Sequence, residues 1–212
     1  KVPGIAKDGS GLSATFYAIK RKKRISDRHS LYFYFYRRQD FKTTLSLQDL
    51  LKYLNLANTS IGDIDVINDP FNNQLKVTLK IVNGDYKATL PLSSMSDGTL
   101  KWLSMITAVM TTTSMFAIEE PENYLHPLMQ SQTLNIMRDI LISRRQYSFS
   151  IMTTHSETIL NSCNPDELIV VSFSEGMTHA KRCSNSNELN AEIKRTGFGL
   201  GYYYLAGAME NE

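Results

Sequence analysis

The chain has 212 residues, is 42% apolar, and carries 23 basic against 21 acidic residues for a net charge of +2. That is enough chain for one large domain or two small ones, with a real core. So small a net charge excludes a strong whole-molecule field, so any nucleic-acid contact must come from local patches. No apolar run approaches membrane-spanning length and no signal peptide is recognisable, and two cysteines without metal-type spacing, Cys163 and Cys183, fit a reduced, cytoplasmic setting. A chain beginning at Lys1 rather than Met reads as a piece of a longer protein.

Asp8, Gly9, Ser10 and Gly11 predict a turn, and Leu12 to about Ile19 a helix. The turn is not a phosphate loop, because Gly11 is followed by Leu12 and Ser13 where Lys and Ser/Thr are required; no other glycine in the sequence precedes that pair. Lys20 to Arg24, with Arg28, is the densest charge run, followed by the aromatic stretch Leu31 to Tyr36. Together they suit phosphate contact and base stacking, although a solvated helix end and core aromatics explain them as well. Leu47, Leu50, Leu51 and Leu54 recur at helical spacing behind Ser46, a good N-cap. Ile61 to Ile67, Leu75 to Ile81 and Tyr86 to Leu90 predict an antiparallel unit, with Asn83 and Gly84 at its hairpin and Pro91 at its end.

Ser96, Asp97, Gly98 and Thr99 then precede an apolar helix from Leu100 to about Met110. A helix start with free N–H groups and a glycine is chemically an anion site, and equally an ordinary N-cap at Ser96. Met115 to Ile118 predicts a buried strand that delivers Glu119 and Glu120 to its C-terminal edge before Pro121 ends it. Consecutive strand residues face opposite sides, so the two acids are expected to hold different jobs. His126 and Pro127 open a helix to about Ile142, with Leu128, Met129, Ile136, Met137, Ile140 and Leu141 as its buried side and Arg144 and Arg145 closing it. Phe149 to Thr153 is expected as a short buried strand that brings Thr154, His155 and Ser156 to the same edge as the acids. A helix from Glu157 to Asn161, a strand pair (Leu168 to Phe173, Met177 to Arg182) and a helix from Asn187 to Lys194 follow. The glycines of the tail, Gly197 to Gly207, miss the dinucleotide fingerprint and read as a segment packing on the domain.

Three signals stand in order: Ser96 to Thr99 before an apolar helix, Ile118 to Asn123 after an apolar strand, and Thr154 with His155 after the next strand. The set resembles the C-terminal half of an ABC-type ATPase, in the RecF/SMC/OLD branch that includes bacterial AAA family ATPases of phage defence. The likeness is strongest from Pro91 to Phe173. It implies an α/β fold: a partial ABC-ATPase-like lobe with a mostly parallel sheet flanked by helices plus a small antiparallel β unit. Residues 1–60 would be an N-terminal helical and basic segment and 61–212 the lobe proper. The resemblance makes Ser96, Asp97, Gly98 and Thr99 the signature motif that meets a partner subunit's nucleotide. Glu119 becomes the Walker B acid holding Mg²⁺ through water, and Glu120 the carboxylate orienting the attacking water. Asn123 to His126 becomes the D-loop, and His155 the switch histidine on the γ-phosphate.

ATP and Mg²⁺ are the implied cofactors. The implied partners are a P-loop lobe (in the same parent chain or in trans), a second copy in a homodimer, nucleic acid and an effector nuclease, with no membrane. The implied function is an ATP-hydrolysing dimeric switch linked to DNA or RNA processing or phage defence. Because this sequence has no P-loop, a non-catalytic docking or regulatory module stands as the alternative, and the chain alone is expected to be inactive. A third reading takes Glu119, Glu120, His126 and His155 as a metal-hydrolase site, but leaves Ser96 to Thr99 unexplained.

Overall fold

The computed structural model describes residues 2–3, 5–6, 8–21, 25–26, 46–56, 58–72, 74–112, 115–143, 148–183 and 185–209. The expected aromatic stretch Leu31 to Tyr36, Lys22 to Arg24, Arg28, Arg144 and Arg145 lie outside the described residues. The elements are β1 (Val2–Pro3), α1 (Leu12–Lys20), β2 (Ile25–Ser26), α2 (Leu47–Asn55), β3 (Ile61–Asp69), β4 (Gln74–Asn83) and β5 (Tyr86–Pro91). They continue with α3 (Asp97–Thr111), β6 (Phe116–Glu119), α4 (Pro127–Ser143), β7 (Ser150–Thr153), α5 (Glu157–Leu160), β8 (Ile169–Ser174), β9 (Met177–Arg182), α6 (Ser186–Thr196) and α7 (Leu200–Leu205).

The fold is mixed α/β, with parallel pairs β1–β2 and β6–β7 and antiparallel sheets β3–β4–β5 and β8–β9. The expected neighbours β6 and β7 run parallel, with Ile118 opposite Met152 and Glu119 opposite Thr153. The β3–β5 meander turns at Gly84, whose φ of 58° suits a residue without Cβ. Its buried positions on β3 are Ile61, Ile64 and Val66, which breaks strict alternation. A bulge between Ile61 and Asp63 supplies the extra residue, so both isoleucines reach the same core.

One hydrophobic core gathers Phe16 and Ile19 of α1, Leu50 and Leu54 of α2, Val66 and Leu79 of the meander, Trp102, Leu103 and Ile106 of α3, and Ile136 and Met137 of α4. Helix α2 starts at a reciprocal cap: Asp49 N–H donates to Ser46 Oγ (3.2 Å), while Ser46 N–H donates to Asp49 Oδ2 (2.9 Å). The buried Thr107 of α3 satisfies its hydroxyl on Leu103 O at 2.6 Å. No helix among the described residues is long and apolar enough to cross a membrane.

Three expectations are corrected. Leu128 is 53% exposed, Met129 and Leu141 are only half-buried, and Leu134 takes a core place instead. Leu128 sits in the first turn of α4, before the helix meets the core. The β6 and β7 strands, both expected to be buried, are covered on one face only. Phe116, Ile118 and Met152 pack against the core, while Ala117, Ile151 (55% exposed) and Phe149 lie open. Lys20 is not a bare cation at a solvated helix end: its Nζ pairs with Asp65 and donates to Val66 O at 3.0 Å, tying α1 to β3.

Trp102 is the sole tryptophan and is 1% exposed beside Ile106. Replacing the fully buried Ile106 by alanine removes transfer energy and leaves a cavity, so unfolding free energy should fall by about 2–5 kcal/mol. Urea unfolding followed by Trp102 fluorescence reads this; an unmoved midpoint would place Ile106 outside the core.

Candidate functional site

The residues singled out from sequence fall into two groups on either side of the loop 120–126. Ser96 to Thr99, Tyr124, His126 and Met129 line an open depression of about 340 Å³ at the start of α3. Ser96 is the N-cap, its Oγ accepting from Thr99 N–H at 3.3 Å and lying 3.0 Å from Thr99 Oγ1. Gly98 belongs to the stretch read from sequence as an anion site or an ordinary N-cap. What approaches is the chain itself: a Cβ there would stand 2.5 Å from the Tyr124 carbonyl oxygen. The glycine therefore seats the 120–126 loop against the helix start.

The second group lies at the C-terminal edge of β6–β7. Glu119 ends β6 with its side chain exposed, and among the described residues its carboxylate has no hydrogen-bond partner. Glu120 does not continue the strand, and the expected simple alternation of the two acids fails there. Its φ is 45°, a left-handed conformation that costs a non-glycine residue about 1–2 kcal/mol. The backbone around it holds that shape. Glu120 N–H donates to Thr153 O (3.1 Å) and Thr153 Oγ1 (3.2 Å), and Glu120 O accepts from Lys101 Nζ (2.9 Å) and Asn123 N–H (3.2 Å). Tyr124, at φ 66°, is the loop's other left-handed residue, and Lys101 Nζ stands 5.9 Å from its ring centre. Burial draws the Lys101 ammonium below the ordinary lysine range, with Glu122 and Glu120 pulling it partly back.

So turned, Glu120 faces His155: Oε1 is 3.6 Å from His155 Nε2, and Asn123 Nδ2 reaches Oε2 at 3.5 Å. His155 is three-quarters exposed and Glu120 one-third. His126 lies with the α3 group, its Nδ1 accepting from Leu128 N–H at 3.3 Å.

Sequence reasoning missed the residue that fixes this edge. Glu122 Oε1 accepts from Thr154 Oγ1 (2.7 Å), His155 N–H (2.9 Å) and Ser156 N–H (3.2 Å). Its Oε2 is buried and, among the described residues, unpartnered. Gln130 of α4 closes the same junction, donating to Leu125 O (2.9 Å) and accepting from Ser156 Oγ (2.7 Å). A third acid just past the strand-ending Pro121 was the available signal.

Residues 7–161 match the family described as "AAA domain, putative AbiEii toxin, Type IV TA system". The chain belongs to that family. This AAA domain is also 31% identical over 115 residues to an "ATP/GTP phosphatase" of Helicobacter pylori (strain ATCC 700392 / 26695); the match takes in 53% of this chain but only 29% of that protein. Among solved structures it resembles an SMC ATPase described for ATP-driven dimerization and DNA-stimulated activation. The TM-score is 0.52 at 15% identity, over 86% of this chain and 95% of that one. It also resembles an Smc head domain with a coiled coil and joint from Pyrococcus yayanosii, with a TM-score of 0.50 at 14% identity, over 70% of this chain and 29% of that one. At such identities the likeness is one of fold.

Glu122→Ala would strip three donors of their shared acceptor. Leaving such groups unpaired costs about 1–3 kcal/mol, so amide exchange at His155 and Ser156 should quicken by about 10- to 100-fold. Hydrogen exchange followed by NMR reads this directly; unchanged protection would mean that the carboxylate does not hold the loop.

Proposed function

We propose that this AAA domain is the signature, Walker B and switch portion of an ATP-hydrolysing, ATP-dimerised switch. The observation that carries the reading is the facing pair Glu120 and His155, 3.6 Å apart at the C-terminal edge of a parallel strand pair, beside the unengaged Glu119. Phosphoryl transfer asks chiefly for positioning and charge neutralisation. In this reading Glu120 orients the attacking water and accepts its proton, and His155 donates to the γ-phosphate. Ser96, Asp97, Gly98 and Thr99 face a partner subunit's nucleotide, with Asn123 and His126 at the subunit boundary.

The donor set suits Mg²⁺. That ion keeps several waters and takes one or two carboxylates plus phosphate oxygens, rather than a cage of protein ligands. Glu119 offers one exposed carboxylate, and no group of three or more candidate ligands converges among the described residues. Glu119 would hold the ion through water, and bound there it would neutralise charge on the phosphates. The same lack of convergence weighs against a self-contained metal-hydrolase site built from Glu119, Glu120, His126 and His155.

A P-loop lobe, from the same parent chain or in trans, completes the site in this proposal. Parallel sheets are ordinarily covered on both faces. Here Ile151 of β7 and Phe149 just before it leave open apolar surface on the parallel pair. Phe16 and Ile19 of α1 and Leu50 and Leu54 of α2 share the core, and residues 1–60 would form the helical, basic flank of the lobe at 61–212. ATP-driven dimerization and DNA stimulation, stated of the SMC neighbour, are proposed for the parent. Nucleic acid, an effector nuclease and a role in phage defence rest on the family resemblance. The absence of a P-loop from this sequence favours one alternative, a docking or regulatory module without turnover.

Two experiments test this. In the P-loop-containing protein, Glu120→Gln should keep ATP binding and lower turnover by about 10²- to 10⁴-fold, since the amide keeps the shape but not the basicity. Wild-type turnover in that variant would remove Glu120 from the chemistry. The 212-residue chain alone should hydrolyse ATP no faster than buffer, and adding the P-loop lobe should restore binding. Tight binding and Glu120-dependent phosphate release by the chain alone would show it to be complete.

A further inference from the structure

The tail glycines, which match no nucleotide-binding fingerprint, have a steric role. A Cβ on Gly199 would lie 2.1 Å from Asn161 Oδ1, and one on Gly201 would lie 2.3 Å from Glu157 Cγ and 2.7 Å from its Cα. Gly199 has an ordinary φ of −78°, so space and not backbone freedom requires glycine there. Gly201 N–H donates to Asn161 Oδ1 at 2.8 Å, and Leu200 is 2% exposed. Helix α7 therefore docks on α5 at backbone distance.

Helix α5 begins two residues after His155, so the docked helix is delivered beside that histidine. Tyr204 stands three residues beyond Gly201, on the same helical face. Its hydroxyl lies 3.0 Å from His155 Nδ1. The opposite ring nitrogen, Nε2, faces Glu120 Oε1. Each of the two neighbours constrains the proton. At 3.6 Å the carboxylate is just beyond hydrogen-bond distance, but its negative charge favours an N–H over a lone pair on the nitrogen that faces it. A neutral imidazole then has its lone pair on Nδ1, where the Tyr204 O–H is the donor at hand. The reverse tautomer would set the Nε2 lone pair against a carboxylate.

We propose that Tyr204 is a positioning residue for His155: seated by Gly199 and Gly201 on α5, it donates to Nδ1, holds the ring plane and fixes the Nε2–H tautomer. An Nε2–H is the form that can donate to a phosphate oxygen. That consequence rests on the proposed ATPase reading, whereas the tautomer assignment does not. The outer partner of a working histidine commonly sets its tautomer in this way.

The test uses the ¹⁵N-labelled 212-residue chain without nucleotide at pH 8.5, above the usual imidazole range of about 6.5. Long-range ¹H–¹⁵N imidazole spectra separate the two ring nitrogens, and His155→Gln assigns the His155 signals. The wild type should show His155 with a protonated Nε2 and an unprotonated Nδ1. Tyr204→Phe should move both nitrogens toward the tautomer-averaged position, with the Trp102-monitored unfolding midpoint unchanged. Gly201→Ala, which pushes α7 off α5 and leaves the tyrosine in place, should do the same. Tyr202→Phe, which removes a neighbouring hydroxyl from the same helix, should leave the spectrum at wild type. An Nδ1–H form in the wild type, an unmoved His155 signature in Tyr204→Phe, or an equal shift in Tyr202→Phe would each overturn the proposal. In the P-loop-containing protein, His155→Gln with undiminished turnover would remove the phosphate role and leave the tautomer result standing.

Discussion

The carboxylate of Glu122 is the constraint on which the arrangement of this edge depends. Two parallel strands end side by side at Glu119 and Thr153, and the loops that leave them have no reason of their own to stay together. One carboxylate oxygen accepts from a hydroxyl and two backbone N–H groups of the second loop. That ties residue 122 of the first loop to residues 154–156 of the second, and so sets His155 across from Glu120. Gln130 repeats the tie from α4, and Ser156 also caps α5 through its Oγ, 3.3 Å from Ile159 N. Charge-assisted bonds of this kind are the stronger ones. The energy of the left-handed turn at Glu120 is offset by this collective anchoring, and no single contact has to supply it.

The same loop is held from the other side by α3. Gly98 lets the Tyr124 carbonyl come close, and Lys101 reaches the Glu120 carbonyl. The loop 120–126 is therefore shared between the start of α3 and the ends of β6–β7. On the proposed reading those are the parts that would address two different nucleotides. A loop pressed on both gives a short route by which occupancy at one could bias the other.

What could be read from the sequence was whatever repeats along it. Alternation placed the β3–β5 meander and helical spacing placed α2, because burial imposes those periods directly, while unbroken apolar runs placed β6, β7 and α3. The bulge at Gly62 and the shift of the α4 core face from Leu128 to Leu134 were illegible, since both follow from where an element meets its neighbour. At the site, the residue types were legible and their partners were not. Glu119, Glu120 and Glu122 look alike in a run of acids. One is bare, one is turned by a left-handed backbone, and one is spent on N–H groups. Tyr204 and His155 are 49 residues apart, and no local pattern joins them. A sharper reading of the tail was available: glycines that fit neither a turn nor a fingerprint, flanking a helical stretch, argue for close packing.

The open apolar faces bear on how such a domain could be switched. Two-stranded sheets are marginal by themselves, and β6–β7 survives here because its inner face, Phe116, Ile118 and Met152, is anchored on the core shared by α3 and α4. The outer face contributes nothing to that anchoring, so its cover can arrive without refolding what lies beneath. At the rate of about 25 cal/mol per Å² of apolar surface removed from water, even a few hundred Å² there would yield several kcal/mol of association. Much of that is lost to ordering on docking. Glu120 and His155 are set from the core side, through Lys101 and Glu122, and not from the open side. On the proposed reading, a covering lobe would therefore meet an edge that is already formed, and would need to bring the phosphate cradle alone.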